Sequence, residues 1–211
     1  MNSRFFFDVD GVLIQGSDAG LDQPAPWDQH LARDLGIEPH LFQQAFFRGE
    51  GAPMRQCMLG QRDLLEALDE VLSALGSRVT PQQFADYWFA HDAHLDQSLL
   101  ALVDRMRRGA QVYIATGQEH HRAKYLWETL GLTEHFDGLF HTAAIGSLKT
   151  DAGFYAAIDR SFSSDTAISY FFDDRADVVA AANAYGWQAT LYRQIDDVAD
   201  HAAVRQVLEG S

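Results

Sequence analysis

Two aspartates, Asp8 and Asp10, stand one residue apart directly after the apolar residues 5–7. Side chains alternate between the two faces of a strand, so both carboxylates share a face while the extended geometry lasts. Gly11 then allows the backbone to turn away. The pattern predicts a buried strand that delivers two acids to a sheet edge, which indicates metal-assisted chemistry. A turn that happens to contain Asp-Gly is the structural alternative, but the apolar run resumes at residues 12–14.

Two later segments contain groups that a bound phosphate would need. Thr116-Gly117 follows an apolar strand and precedes a helix, where a hydroxyl group and free backbone N–H groups favour an anion. Thr116 with Glu119 also matches a helix capping box, so a structural explanation stays open. Lys149 lies between another strand and an aromatic-bearing helix, and a lone lysine is most often a solvated surface charge. Each segment taken alone is therefore ambiguous.

Asp173 and Asp174 are adjacent acids at the end of a further apolar strand. Asp174 could cap the helix that follows, with Asp177 favouring the positive end of that helix. A cap explains one aspartate and not the pair, because neighbouring carboxylates repel each other. A hard cation with oxygen ligands, such as Mg²⁺, between this pair and Asp8 would remove the repulsion.

Short apolar segments alternate with amphipathic helical patterns over most of the chain. Because such alternation is typical of a parallel sheet covered on both faces, we expect an α/β fold with a Rossmann-like, doubly wound core. Helical patterns cover residues 123–130 and 175–185, each closed by a glycine. The predicted strands are residues 4–9, 111–115, 138–141, 167–172 and 188–192.

Residues 17–96 interrupt this alternation, because they contain several helical patterns and no convincing strand. We therefore predict a core formed by residues 1–16 and 97–211, with residues 17–96 inserted as a helical domain. The segment Thr80-Pro81-Gln82-Gln83 predicts a helix start with a capping box. An insertion directly after the first strand would lie above the carboxyl edge of the sheet, where open α/β sheets bind ligands.

Composition restricts the partners and the compartment. The chain has 211 residues, 47% of them hydrophobic, and its net charge is −14, which disfavours nucleic acid and anionic membranes. A small anionic substrate remains possible, because a metal or a few cations can reverse the field locally. Cys57 is the one cysteine, so no intrachain disulfide can form, and the start of the chain lacks a signal-peptide pattern. We expect a cytoplasmic protein, as a monomer or a homodimer.

The four segments, taken in order, resemble the haloacid dehalogenase superfamily, whose members are mostly phosphatases. The resemblance rests on DVDGVL at 8–13, ATG at 115–117, GSLKTD at 146–151 and FFDDRADVV at 171–179. It covers essentially the whole predicted core, and the inserted helical block looks like the C1-type cap of that family. Each motif is weak alone, and the ordered set is specific.

The resemblance implies a role for each acid and implies Mg²⁺ as the cofactor. Asp8 matches the nucleophile that forms an aspartyl-phosphate, and Asp10 matches the general acid and base. Asp174 matches a direct Mg²⁺ ligand, together with a carboxylate oxygen of Asp8 and the backbone carbonyl of Asp10, while Asp173 would act through a water. The catalytic set would also include Thr116 and Lys149.

The same resemblance implies that four residues hold the phosphate group, namely Thr116, Gly117, Lys149 and Gly11. Two positions depart from the family pattern: Gly117 stands where many relatives have Asn, and Thr150 stands where many have Pro. We expect Gly117 to keep its N–H for phosphate binding, and Thr150 to loosen a backbone restraint near Lys149.

The expected activity is a Mg²⁺-dependent phosphomonoester hydrolase acting on a small phosphorylated metabolite, with sugar phosphates the most plausible class. A phosphomutase, a 2-haloacid dehalogenase and a catalytically idle ligand-binding protein are the alternatives. Arg48 and Arg55, in a glycine-rich polar stretch, are candidate substrate contacts or surface residues. His120 and His121 more readily suit surface positions than a transition-metal site, because adjacent helical residues diverge by about 100°.

Overall fold

The core of the protein is a single parallel sheet of five strands in the order β3-β2-β1-β4-β5. A computed structural model describes residues 3–14, 26–49, 51–162 and 167–210. The five strands are those predicted from the sequence, each within two residues of its expected ends. They are β1 (Ser3–Phe7), β2 (Gln111–Thr116), β3 (Gly138–His141), β4 (Ile168–Asp173) and β5 (Gln188–Leu191).

A block of helices is inserted between β1 and β2, as the sequence predicts. Its members are α1 (Leu31–Leu35), α2 (Pro39–Phe46), α3 (Pro53–Met58), α4 (Leu64–Ala74) and α5 (Pro81–His91), after which α6 (Gln97–Met106) leads into β2. The remaining helices are α7 (His120–Lys124), α8 (Thr142–Ile145), α9 (Ala152–Arg160), α10 (Ala176–Tyr185), α11 (Asp196–Ala199) and α12 (Ala202–Glu209). A π-helical turn, Tyr125–Thr129, continues α7. None of the described helices has the length and apolar character needed to cross a membrane.

Strand β1 is buried on both of its faces, which confirms the doubly wound core. Phe5 and Phe7 pack into the cluster that includes α6 and α12, whereas Phe6 points to the opposite face and stacks on Trp187, with ring centroids 4.4 Å apart. All three phenylalanines are fully buried. Because neither face is free to shift, the end of β1 is a rigid platform for the residues that follow.

The inserted helices have an apolar cluster of their own, rich in aromatic side chains. Phe42 and Phe84 lie with ring centroids 4.3 Å apart, and the predicted capping box forms between Thr80 and Gln83 at the start of α5. Cys57 is buried in this cluster, and burial raises the pKa of its thiol to about 11. Most of the side chains in this cluster come from the inserted helices, and Tyr125 from the segment after β2 packs against it.

The chain leaves the core and returns to it at adjacent points. Ile14 bridges to Leu95, and the Asp96 N–H donates to the Leu13 carbonyl at 2.8 Å. The predicted boundary after residue 96 lies beside this crossing, whereas the boundary between residues 16 and 17 lies outside the described residues. The division into residues 1–16, 17–96 and 97–211 therefore stays a prediction.

One point of close backbone approach joins the insertion to the core. Gly60, after α3, has φ +67°, and a Cβ atom there would lie 2.3 Å from the carbonyl oxygen of Ala143 in α8. A second contact joins Asp63 Oδ2 to His121 Nε2 at 2.8 Å. The insertion is seated on the carboxyl edge of the sheet through these contacts.

We expect Gly60→Ala to destabilise the protein more than Gly76→Ala. Gly76 also has a positive φ, +70°, but nothing lies within 4 Å of a Cβ there. The control should cost about 1 kcal/mol from left-handed strain alone, and the Gly60 variant about 2 kcal/mol more from the clash with Ala143. Urea unfolding of both variants measures the difference. Equal losses would show that the approach of Gly60 to Ala143 is not tight.

Candidate active site

Three carboxylates converge where β1 and β4 end. Asp8 directly follows β1, Asp173 is the last residue of β4, and Asp174 follows it. One oxygen from each lies within 4.8 Å of the others. Asp8 and Asp173 are buried, and Oδ1 of Asp8 has no hydrogen-bond partner among the described residues. Three converging negative charges and an unsatisfied oxygen require positive charge nearby.

Lys149 supplies part of that charge. Its Nζ lies 2.5 Å from Asp8 Oδ2 and 2.7 Å from Asp173 Oδ2, and the side chain is 6% exposed. Burial works against the charge, but the adjacent carboxylates of Asp8 and Asp173 outweigh it and raise the pKa of Lys149. This lysine is therefore a permanent buried cation, and not the solvated surface charge that the sequence left open.

The lysine does not neutralise the cluster completely. Burial is the main cause that raises the pKa of Asp8, against the lowering effect of Lys149. Burial and the charge of Asp8 also raise the pKa of Asp174. A divalent cation fits this arrangement, because the donors are all hard oxygens and one buried oxygen of Asp8 is unsatisfied.

The two adjacent aspartates have different surroundings. Both oxygens of Asp173 are engaged, Oδ2 by Lys149 and Oδ1 by the Arg175 N–H at 2.9 Å. Asp174 is exposed and stands against Gly11, where a Cβ atom would lie 2.2 Å from its Oδ2. Gly11 also has φ +79°. Glycine is therefore required at this position both by the left-handed turn and by the closeness of Asp174. The first acid faces the lysine and the second is free to face the cleft.

The backbone of Lys149 is held by a residue that the sequence did not single out. The hydroxyl of Tyr155, on α9, donates to the Lys149 carbonyl at 2.6 Å and lies 3.3 Å from the Val178 carbonyl. The expected loosening at Thr150, where relatives have proline, is thus offset by a side-chain hydrogen bond from the next helix. The only sequence signal for this role of Tyr155 was its place on the helix predicted after Lys149, six positions beyond the lysine.

Thr116 and Gly117 lie at the end of β2, but the helix begins later than the sequence suggests. Glu119 caps α7, and its carboxylate accepts the His121 N–H at 2.6 Å. The capping box that pairs Thr116 with Glu119 does not form, because Thr116 still belongs to β2. Its hydroxyl is buried and has no partner among the described residues.

Gly117 is closely surrounded, which gives a physical reason for the glycine at this position. A Cβ atom there would lie 3.2 Å from Met58 Cε and 3.6 Å from Lys149 Cε. Met58 belongs to the insertion, so the missing side chain leaves room for both the lysine and the inserted helices. An asparagine in this place would compete with them for space.

Asp10 is anchored from the β2–α7 side of the cleft. Gln118 Nε2 lies 2.6 Å from its Oδ2, and Arg122 Nη2 lies 2.9 Å from its Oδ1. The sequence analysis missed both anchoring residues. The one sequence signal for Arg122 was its position directly before the predicted helix 123–130 and four residues before the apolar Leu126, which places both on one helix face.

A cleft of about 1290 Å³ lies between the sheet edge and the insertion. Asp8, Asp10, Gly11, Gly117, Lys149 and Asp174 line it from the core, and Phe47, Met54, Arg55 and Met58 line it from the insertion. Arg48 is exposed and does not contribute to the lining. Of the ten predicted site residues, seven line this cleft, and the buried Asp173 joins them through its contact with Lys149. Arg48 and the fully buried Thr116 do not line it.

The adjacent histidines point to different partners. His120 Nδ1 lies 3.1 Å from His141 Nε2, whereas His121 faces Asp63 of the insertion. Burial, together with the neighbouring His120, lowers the pKa of His141 to about 4. His91 Nδ1 lies 2.8 Å from the Tyr87 carbonyl on its own helix. The contacts of His120 and His121 agree with the surface positions expected for these two residues.

The fold and these residues define a known family. The family model for haloacid dehalogenase-like hydrolases matches residues 4–186, and the chain belongs to this family. A search of curated protein sequences finds no match.

Solved structures with the same fold hold different ligands. A family enzyme from Bacteroides thetaiotaomicron, in complex with magnesium and inorganic phosphate, has a TM-score of 0.69 and 16% identity over 92% of this chain and 95% of that one. A predicted family hydrolase from Porphyromonas gingivalis has a TM-score of 0.69 and 16% identity over 90% and 91%. The L-2-haloacid dehalogenase from Xanthobacter autotrophicus, with chloropropionic acid covalently bound, has a TM-score of 0.63 and 16% identity over 100% of this chain and 84% of that one. At these identities the likeness shows the shared fold.

We expect Tyr155→Phe to destabilise the protein by about 1–2 kcal/mol, because the Lys149 carbonyl then loses its buried donor. The matched control is Tyr170→Phe, since the Tyr170 hydroxyl has no hydrogen-bond partner recorded among the described residues; it should cost less than about 0.5 kcal/mol. Urea unfolding compares the two. A Tyr155 variant as stable as the control would mean that Tyr155 does not hold the Lys149 backbone.

Proposed function

We propose that this protein is a Mg²⁺-dependent phosphomonoester hydrolase that acts on a small phosphorylated metabolite through an aspartyl-phosphate. The observation that carries the proposal is the convergence of Asp8, Asp173 and Asp174 at the base of the cleft, where Lys149 pairs with Asp8 and Asp173. The structural relative from Bacteroides thetaiotaomicron that holds magnesium and inorganic phosphate supports it. Family membership alone makes the chain a haloacid dehalogenase-like hydrolase.

The first half of the reaction uses both acids after β1. A carboxylate oxygen of Asp8 forms a bond to phosphorus while the ester P–O bond breaks, and Asp10 gives its proton to the departing oxygen. In the second half, Asp10 takes a proton from water as the water oxygen bonds to phosphorus. The Asp8–phosphorus bond breaks, inorganic phosphate leaves, and both acids return to their starting states.

The other residues of the site hold charge. Lys149 favours the ionised form of Asp8, and with the Gly117 N–H and the Gly11 backbone it would hold the phosphoryl oxygens. The Thr116 hydroxyl is buried at the end of β2, outside the cleft lining, and takes no such contact in this proposal. Mg²⁺, held by Asp8, the Asp10 carbonyl and Asp174, would offset repulsion between anionic substrate and anionic nucleophile. The full engagement of both Asp173 oxygens supports an indirect role for that residue.

A dehalogenase is the second candidate because one structural relative performs that chemistry on the same fold. Displacing a halide needs no proton on the leaving group and no divalent cation, so Asp10 and the Asp173–Asp174 pair would have no task there. A phosphomutase would use the same acids as the hydrolase, and only its product differs. The acid cluster therefore favours phosphoryl transfer over dehalogenation.

We also propose that the inserted helices act as a C1-type cap that selects the substrate. Arg55, on α3, is the one cation that the described part of the insertion contributes to the cleft. The surrounding surface from the insertion is apolar, with Phe47, Met54 and Met58. Arg55 would contact the part of the substrate far from the reacting phosphate, and sugar phosphates are the class we propose.

Asp8→Asn should lower turnover of a chromogenic aryl phosphate by at least about 10³-fold, because the amide cannot form the covalent intermediate. Chelation of Mg²⁺ should abolish wild-type turnover reversibly. Asp104→Asn, a surface acid paired with His135 on the core, is the matched control and should keep full activity. Phosphate release is measured directly. Full activity of Asp8→Asn, an isomerised product, or chelator-insensitive chloride release from chloroacetate would each contradict the proposal.

Arg55→Met should lower kcat/KM for a sugar monophosphate by about tenfold, equivalent to about 1.4 kcal/mol of lost binding. Arg48→Met removes the same charge from a neighbouring exposed site outside the cleft and should change kcat/KM by less than about twofold. Steady-state kinetics with both variants tests the difference. Equal losses, or none in either, would remove Arg55 from the proposed substrate site.

A further inference from the structure

Arg122 is a fully buried cation with no task in the proposed chemistry. Its side chain is 1% exposed, and its Nη2 lies 2.9 Å from Asp10 Oδ1 and 3.0 Å from Asp92 Oδ2. The same nitrogen donates to the Asp92 backbone carbonyl at 3.1 Å. Asp10 belongs to the core and Asp92 ends α5 of the insertion, so one guanidinium group contacts both parts of the molecule.

The burial of this arginine makes sense only if its partners stay in place. Removing a guanidinium from water is costly unless carboxylates and hydrogen bonds replace the water. Here Nη1 is buried and has no hydrogen-bond partner among the described residues, so the direct contacts that compensate the burial are those of Nη2 with Asp10 and Asp92. The rings of Trp88 and Phe89, on α5, lie 5.8 and 5.9 Å from the guanidinium carbon. The arginine is thus confined by the insertion and directed at Asp10.

The position of Asp10 depends on hydrogen bonds more than on packing. Its side chain is 53% exposed in the cleft, so neighbouring atoms do not confine it. Its two oxygens instead face Arg122 and Gln118, one each. The backbone carbonyl of Gln118 is itself fixed by the Thr142 hydroxyl and the Ala143 N–H, both at 3.2 Å. Residues at and just before the start of α7 therefore determine the orientation of the Asp10 carboxylate.

We propose that Arg122 is a positioning residue for Asp10. Because Arg122 also contacts Asp92, the orientation of the Asp10 carboxylate depends on the position of the insertion. The inference rests on the proposed hydrolase function. Asp10 must deliver a proton to the leaving oxygen as the Asp8–phosphorus bond forms and the ester bond breaks. A displacement of about 1 Å at such a group can cost about 10²-fold in rate.

Leaving groups of different acidity isolate this role. An alkoxide needs the proton of Asp10 to depart, whereas 2,4-dinitrophenolate departs without it. The value of kcat/KM reflects only the steps up to and including phosphoryl transfer to Asp8. The later action of Asp10 as a base therefore does not affect kcat/KM. Arg122→Met should lower kcat/KM for a sugar phosphate by about 10²-fold and for 2,4-dinitrophenyl phosphate by less than about threefold. A parallel loss on both substrates would overturn the proposal.

Two further variants control for arginine loss and for folding. Arg107→Met removes an arginine that pairs with Asp137 on the core at 2.8 Å, and it should leave both substrates within about twofold of wild type. Arg122→Lys keeps the buried charge without the planar fork, and it should show the same selective loss at about tenfold. If Arg122→Met fails to fold, the lysine variant decides. An unselective loss in Arg122→Lys would count against the role.

Asp10→Asn provides the test of mechanism. If Arg122 acts through Asp10, adding Arg122→Met or Arg122→Lys to Asp10→Asn should lower the sugar phosphate rate by less than about twofold further. A full additional loss would mean that Arg122 acts elsewhere, which would overturn the proposal.

Crystal structures of the wild type and Arg122→Lys provide a readout that does not depend on activity. The Asp10 carboxylate should move by about 1 Å or more in the variant, and it should stay in place in Arg107→Met. An unmoved Asp10 would overturn the proposal. If the wild type hydrolyses neither ester, the proposed function fails, and the position of Asp10 still decides the role of Arg122.

Discussion

The repulsion between the three carboxylates at the ends of β1 and β4 is the constraint on which the rest of the site depends. Asp8, Asp173 and Asp174 approach one another in a place where two of them are shielded from water. Such an arrangement is stable only beside positive charge. Lys149 meets part of the demand, and a divalent cation fits what remains. The proposed chemistry depends on the same positive charge, because an anionic phosphate ester could not approach the anionic Asp8 unless Lys149 and the cation offset the repulsion.

The fold provides the rigidity that this arrangement requires. A strand buried on both faces carries Asp8, and the neighbouring parallel strand carries the acid pair, so backbone hydrogen bonds fix their separation. The Asp8 N–H donates to the Phe172 carbonyl at 3.0 Å, which ties the two strand ends together beside the acids. Lys149 comes from a loop between α8 and α9, and it needs the Tyr155 hydroxyl to hold its backbone. The site therefore combines acids fixed at the ends of paired strands with a lysine on a loop that the Tyr155 hydroxyl restrains.

The insertion does more than cover the cleft. Two of its ion pairs with the core reach the segment after β2, namely Asp63 with His121 and Asp92 with Arg122. That segment also carries the two donors to Asp10. A shift of the insertion would therefore reach the proposed proton carrier, because Arg122 contacts both Asp92 and Asp10.

Local patterns predicted the elements and the acid motifs well, because both depend on neighbours in the chain. The apolar runs around Phe6 and Phe171 specify buried strands, and side-chain alternation brings acids to their ends. The same patterns could not show that Glu119, and not Thr116, caps α7, because the end of β2 is set by its pairing with β1 and β3. They also left Arg48 and Arg55 equivalent, since only the packing of α3 against the sheet edge distinguishes them.

The sequence by itself thus determined the strands that the motifs follow, the family, and most of the residues that carry charge at the sheet edge. Tertiary structure alone decided which charges meet: Lys149 with Asp8 and Asp173, and Arg122 with Asp10 and Asp92. Those pairs join residues that are 24 or more positions apart. Contacts at such separations follow from how the layers pack, and no local preference of the chain encodes them.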